Sequence, residues 1–328
     1  MNNLRACPVE IKWCPALPIY ASEGFLKSVG DEYGWIGGTD GEGLLRCVLP
    51  YTIIRKFGFR FVRFLVETIP LEGEFDMQAE KSFLNSAVEY LSSTGADMII
   101  PATGSTIFRT YPDGAVAAPY GTFVKDLTQP EDVLFCGVYP DYRANIRRAT
   151  KKGVQIKCGM QYLDVSYRII ADTLKRGGSR YVKNYDDFKR SVLGLGENVR
   201  IFIADYQGVV QACLVAPFSE HSGYSLYSGT VLDPLKGSMH LVQWEAIRQF
   251  HGIGVKRFNF TGVRINPEKG SRQEGIKNFK MRFGGKLVQG YMWKYSLRPL
   301  RSVAYSFAVR LLKGGDVVDQ ERSKFVSE

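Results

Sequence analysis

Lys280 is the residue whose type and spacing first suggest chemistry. It lies in EGIKNFKMRFGGK, residues 274–286. Ile276, Phe279 and Phe283 recur there at helical spacing. Lys280 is four residues after Ile276 and three before Phe283, so it projects from the same apolar stripe. One reading is snorkelling, with the stem on apolar surface and the ammonium in water. The other is a cation held partly out of water for chemistry. A cation in a low-dielectric cleft stabilises an oxyanion developing on a carbonyl under attack.

Other residues offer to bind anions. In YPDYRANIRRATKKGVQIK, 139–157, Arg143, Arg147 and Lys151 recur every four residues, with Arg148 and Lys152 beside them. Five cations over ten residues with no acid among them form either a solvated face or an anion-facing one. Lys236, Gly237 and Ser238 precede a helical pattern and could hold one phosphate. Tyr224 and Tyr227 lie in YSLYSGT, where strand spacing puts them on opposite sides; each is a ligand contact or core packing. Asp233 and Glu245 lie near, but nothing marks either as a general base. Six cysteines without a CxxC pair and three histidines indicate neither a zinc site nor a disulfide framework, so no metal is expected.

These residues need elements to position them. Ser271 and Glu274 have capping-box spacing and Gly284-Gly285 follows Phe283, which predicts a helix from Arg272 to the glycines. Pro140-Asp141 opens a helix that Gly153 ends. Residues 61–69 read as a strand, 78–93 as a helix, and DMIIPA as a strand after Gly95. Residues 224–230, 239–251 and KRFNFTG repeat that order, with Gly254 placed on Gly95 and Tyr224 on Leu65, an offset of 159 residues without a gap. Hairpins turning within TDGEG and at Gln207-Gly208 precede the two stretches, and helical segments precede both hairpins. The order predicts an α/β unit with a mixed sheet, used twice. At the C-terminal end, Leu300, Val303, Phe307, Leu311 and Leu312 form a stripe with Arg301, Arg310 and Lys313 around it. A packed surface helix is expected, with a membrane-surface helix as the rival.

The chain has 328 residues, 45% of them hydrophobic, and a net charge of +10. A sizeable core is expected, and the charge points to an anionic partner: nucleic acid, a phosphate-rich substrate or a membrane surface. No apolar run approaches the ~20 residues of a membrane span, and the N-terminus lacks the apolar core of a signal peptide. A soluble, cytoplasmic protein is expected.

NIRRATKKGVQI, LVQWEAIRQFHGIGVKRFNFTG and GIKNFKMRFGGKLV, in this order, resemble the Fem family of aminoacyltransferases. The resemblance covers about 140–295; before residue 130 only the order of elements agrees. It implies two tandem GNAT-like (acyl-CoA N-acyltransferase-like) domains with mixed sheets and, in the absence of a heptad run, no coiled-coil arm. The first would span 1–140 with 292–328 packing back on it, the second 141–291. The implied activity moves an aminoacyl group from charged tRNA to an amine of a peptidoglycan precursor. Phe279 and Lys280 match the family's Phe-Lys pair, placed where the tRNA acceptor end meets the peptide. By the same resemblance Tyr224 or Tyr227 would contact the acceptor, and Arg176 or Arg180 its sugar-nucleotide or peptide portion. The basic row of Arg143, Arg147, Arg148 and Lys151, with Lys236, would meet nucleic-acid phosphates.

The donor stays open at this level. Acetyl-CoA users of this fold cradle pyrophosphate on a glycine-rich turn. VLDPLKGSMHL, 231–241, and PLEGEFDMQ, 70–78, are poor versions of it. No cofactor is therefore expected with aminoacyl-tRNA as donor, and an acyl-CoA or acyl-carrier thioester is the alternative. The acceptor would then be an amino sugar, amino acid or lipid precursor. A third reading is a basic module binding RNA or anionic membrane without chemistry, with the inner face of the membrane as a peripheral partner.

Overall fold

The computed structural model describes residues 3–71, 75–179, 182–303, 305 and 315–325. The first part of the chain forms β1 (Arg5–Val9), α1 (Glu23–Val29), β2 (Glu32–Thr39), β3 (Leu45–Lys56), β4 (Phe59–Phe64), β5 (Ile69–Pro70), α2 (Met77–Ser93), β6 (Met98–Ile99) and β7 (Val116–Asp126). There follow α3 (Glu131–Cys136), α4 (Pro140–Lys151), β8 (Gln155–Cys158), α5 (Leu163–Arg176), α6 (Tyr185–Leu193), β9 (Val199–Tyr206) and β10 (Val209–Pro217). The last part forms β11 (Gly223–Tyr224), β12 (Tyr227–Thr230), α7 (Ser238–Gly252), β13 (Arg257–Val263), α8 (Arg272–Arg282), β14 (Lys286–Ser296) and α9 (Val317–Phe325). A short helix at 299–303 lies between β14 and α9.

The described strands make two sheets, the larger mixed and the smaller antiparallel. One runs β1-β2-β3-β4-β6-β14-β7-β13-β11, with β5 beside β3; the other runs β12-β10-β9-β8. Only β4/β6 and β11/β13 pair in parallel, and in each pair an intervening helix, α2 or α7, makes the crossover that a parallel pair requires. β7 pairs with both β13 and β14, and β14 reaches back to β6.

The repeat holds as an order of elements but not without a gap. Val62 faces Ile99 and Gly223 faces Phe258, the residue that the Gly95–Gly254 match sets on Ile99, so Val62 takes the place of Gly223 and the strand is two residues out of the 159 offset. The segment 61–69 is not one strand. It leaves β3 after Phe64 and returns to β3 at Ile69. The second stretch breaks likewise between Tyr224 and Tyr227.

One cluster of the core joins both halves of the chain. Tyr20, Leu26, Trp35 and Val48 pack with Ile170, Phe188, Ile201, Cys213 and Tyr224. A second lies between α4, α7 and the β9–β10 hairpin and takes in Phe283. A third packs α2 on β2–β4, where Trp293 of β14 meets Phe64 and Phe108. α9 is tied down by the buried Val318, by Lys294 to Asp316 and Asp319 (2.7 Å each), and by Arg264 to Glu321 (3.0 Å). The expected packed stripe after residue 298 is not formed at its start. Leu300 and Val303 are 90% and 68% exposed, while Phe307, Leu311 and Leu312 lie outside the described residues, as do Arg310 and Lys313. Among the described residues no helix is long and apolar enough to cross a membrane.

Candidate active site

The site begins with a fault in β13. Its pairing with β7 shifts register between Asn259 and Gly262, which marks a bulge. The Asn259 side-chain oxygen accepts from the Thr261 N–H at 2.7 Å and holds Thr261 at a left-handed φ of 63°. The Thr122 hydroxyl lies 2.7 Å from that same oxygen and 2.9 Å from the Thr261 carbonyl, with one proton to share. Gly262 is required next, because a Cβ there would meet the Gly104 carbonyl oxygen at 2.2 Å. The bulge withdraws carbonyls from the ladder and offers them to α8.

α8 answers with Lys280. Ser271 caps the helix by accepting from Glu274 N–H, and Glu274 reaches the N–H of Gly270 rather than that of Ser271. The Lys280 ammonium donates to the Gly262 carbonyl at 2.8 Å and to the Thr261 carbonyl at 3.1 Å, and lies 3.3 Å from the Thr261 hydroxyl. Snorkelling is therefore the wrong description: the ammonium points inward, where it finds backbone acceptors. The residue as a whole is only half-buried, so its stem lines a surface while its head is enclosed. Burial pushes its pKa down to about 7. Lys125 does related work at the C-terminal end of α8, beside the turn that carries Lys280. It donates to the Phe283 carbonyl at 3.1 Å, a favourable place for a cation, and burial lowers it to about 8.

Phe279 projects from α8 into an aromatic group. Its ring meets Phe283 edge-on at 5.1 Å and lies 5.7 Å from both Tyr142 and His240. It is half-buried at the edge of that group. Tyr142 and His240 are 4.3 Å apart, which brings the first turns of α4 and α7 together beside α8. Arg282 to Asp141 (2.9 Å) and Tyr139 N–H to the Arg282 carbonyl (2.9 Å) complete that junction. Burial lowers the His240 pKa to about 4, so its imidazole is neutral.

The other sequence candidates divide. Arg143 is half-buried beside Tyr142, and Lys236 is exposed just before α7, so both flank the junction. Arg147 lies over the Phe135 ring at 5.4 Å, Arg148 reaches Asn145 at 3.4 Å, and Lys151 is exposed farther along α4. Tyr224 and Tyr227 do not face opposite ways. The break between β11 and β12 brings both into one cluster, Tyr224 against Tyr20 and Tyr227 against Phe188, while the Lys280 ammonium bonds to Thr261 and Gly262. The Arg176 guanidinium holds the Thr230 carbonyl and the Thr173 hydroxyl, joining α5 to β12. Arg180 lies outside the described residues. Glu245 is engaged by Arg248 and Gln249 at 2.8 Å each.

The turn before α7 packs tightly on α4. Gly237 and Ser238 are buried, and a Cβ on Gly237 would meet the Asn145 carbonyl oxygen of α4 at 2.2 Å. The Ser238 N–H and hydroxyl are both spent on the Leu235 carbonyl. In the other turn, residues 72–74 lie outside the described ones. A groove of about 780 Å³ between α3, α4, α7 and β8 is lined by Phe135, Ile146, Leu241 and Trp244, and Lys280 takes no part in it. Thr261, Gly262, Asn259 and Thr122 were not singled out from the sequence. The single glycine in KRFNFTG was the available sign of a bulge.

No protein-family model matches the chain, and no curated protein does. Solved structures do. The crystal structure of FemX is 13% identical over 87% of this chain and 94% of its own, with a TM-score of 0.66. A C-terminal domain (DUF2156) from Agrobacterium fabrum, provisionally named a lysylphosphatidylglycerol synthetase, is 14% identical over 90% and 93%, with a TM-score of 0.51. A conserved protein of unknown function from Bacteroides thetaiotaomicron is 10% identical over 84% and 90%, with a TM-score of 0.52. At such identities the likeness is one of fold. The chain shares the overall fold of FemX, an α/β architecture with one mixed and one antiparallel sheet.

Proposed function

We propose that the chain is an acyltransferase that passes an aminoacyl group from charged tRNA to an amine acceptor such as a peptidoglycan precursor. The observation that carries this reading is the enclosed Lys280 ammonium on its two bulge carbonyls. The acceptor nitrogen attacks the ester carbonyl carbon, forming the C–N bond. The C–O bond to the tRNA ribose then breaks, and the proton lost by the amine balances the one gained by the leaving oxygen. Negative charge builds meanwhile on the carbonyl oxygen. Lys280 has three protons and three acceptors, the longest contact being the Thr261 hydroxyl at 3.3 Å. The substrate oxygen replaces that contact in the transition state, where a fixed cation in a low dielectric acts most strongly.

The surroundings fit the donor. The half-buried Phe279 offers a stacking face for a terminal base. Arg143 and Lys236 flank the junction, and Arg147, Arg148 and Lys151 continue along α4 as a track for phosphates. The tight packing of the turn before α7 on α4, with the Ser238 N–H and hydroxyl already engaged, weighs against a CoA thioester. A tRNA donor implies a cytoplasmic site of action.

Purified protein given radiolabelled aminoacyl-tRNA, and separately acyl-CoA, with a panel of amines tests the proposal. Amide product from the tRNA donor alone is expected, with tRNA affinity falling steeply as salt rises. Product from acyl-CoA alone would replace the donor by a thioester. Product from neither, with tight salt-dependent tRNA binding, would favour a module without chemistry.

A further inference from the structure

The β3–β4 hairpin carries a feature that acyl transfer does not require. Its turn is Phe57-Gly58, between the paired residues Lys56 and Phe59. Both turn residues are left-handed, with φ of 52° and 74°. A two-residue turn of this kind favours Asn or Asp before Gly, and a bulky aromatic is strained there. The hairpin at Gln207-Gly208 has the same left-handed pair with a polar first residue. Phe57 gains nothing from burial in exchange, being 82% exposed.

The neighbours of Phe57 share its character. Arg301 donates to the Gly58 carbonyl and lies 5.0 Å over the Phe59 ring, fixing the short helix 299–303 against the hairpin. That helix carries Leu300 and Val303, 90% and 68% exposed. The Lys56 ammonium is 5.3 Å from the centre of the Phe57 ring. Arg55, Arg60 and Arg298 complete a basic rim, and Arg55 to Arg60 line a hollow of about 400 Å³. The acids here are engaged. Glu32 holds Arg55 and Arg60, Asp31 accepts from the Arg55 N–H, and the 2%-exposed Asp97 side chain faces Arg298 and Arg301.

We propose that this edge docks on an anionic lipid bilayer, with Phe57, Leu300 and Val303 entering the headgroup region and the basic rim facing lipid phosphates. Exposed apolar side chains ringed by cations match such an interface in both of its components. A second copy of the chain fits less well, because a two-fold contact would set this rim against itself. The proposal is independent of the donor and acceptor assigned above.

Co-sedimentation of the full chain with vesicles of phosphatidylcholine, alone or mixed with phosphatidylglycerol, tests it. Binding to the anionic vesicles is expected, about tenfold or more above neutral ones and weakened by salt. Phe57→Asn relieves the turn, so thermal stability should hold or rise while vesicle affinity falls about tenfold. Leu300→Ser should lower affinity in the same direction without unfolding the chain. No binding by the wild type, or wild-type binding by Phe57→Asn, overturns the proposal. So does a dimer, formed without vesicles, that Phe57→Asn abolishes. Transfer to a water-soluble amine should be unchanged in both variants. Its absence in every form, with vesicle binding intact, would count against the acyl-transfer reading and leave docking supported.

Discussion

At the scale of the residue, Lys280 combines two functions that mutation can separate. Its protons satisfy two bulge carbonyls, and its charge faces the place proposed for the reacting carbonyl. Lys280→Met deletes both. Leaving buried carbonyls unpaired costs about 1–3 kcal/mol each, so this variant should melt earlier than the wild type. Its kcat, measured where circular dichroism confirms folding, should fall ~10²-fold or more with KM little changed. pH then separates charge from structure. With a pKa near 7 instead of the ordinary 10.5, the folded form binds fewer protons than the unfolded form from about pH 7 upward. Stability should therefore rise with pH across that window, since unfolding takes up a proton there and rising pH makes that uptake costlier. The transfer rate should do the opposite, falling above about pH 7 as the ammonium is lost. Lys280→Arg keeps its charge throughout and should remove that alkaline fall, even if its fork fits the carbonyls poorly and lowers the rate. A rate profile that Lys280→Arg leaves unmoved would mean that the charge takes no part.

At the scale of the element, the contact between α4 and α7 decides how the junction is built. Gly237 is left-handed at φ 97° and sits against the Asn145 carbonyl of α4. Gly254, at φ 82°, has nothing within 4 Å of an added Cβ. Gly254→Ala should therefore cost only the backbone term, about 1–2 kcal/mol. Gly237→Ala adds displacement of a helix and should cost at least about 2 kcal/mol more, read as a lower urea midpoint. Equal midpoints would show that α4 yields freely. The same elements show what the sequence made legible. α4, α7, α8 and the Gln207-Gly208 hairpin follow from caps, periodicity and turn residues, each a local signal. The Phe57-Gly58 turn carries no polar turn residue at its first position, and 61–69 read as one strand because nothing in its spacing marks the break after Phe64. The opposite facing of Tyr224 and Tyr227 failed for a related reason, a strand break that spacing does not encode. Lys280 was legible as an anomaly, but its acceptors are backbone carbonyls turned by a bulge, and side-chain pattern says nothing of carbonyl direction.

At the scale of the whole molecule, the two halves of the chain repeat an order of elements but share strands and core. β7, before α4, lies between β13 and β14, the last strands of the chain. Trp293 of β14 fills the core beneath α2, beside Phe64 and Phe108. The cluster around Tyr20, Phe188 and Tyr224 draws residues from both halves. An interface of that kind, apolar and continuous with a sheet, gives neither half a finished core of its own. Unfolding should then be a single cooperative event. Native-state hydrogen exchange can test this by comparing peptides from β3, Leu45–Lys56, and β10, Val209–Pro217. Their slowest amides should exchange with one free energy and lose protection at one denaturant concentration. If β10 opened at distinctly lower denaturant than β3, the halves would be independent folding units, and the strand exchange through β7 and β14 would be a weak contact. The single transition also bears on the site. α8 is framed by β13, by Lys125 of β7 and by Tyr142 of α4, so the position of Lys280 depends on strands from both ends of the chain.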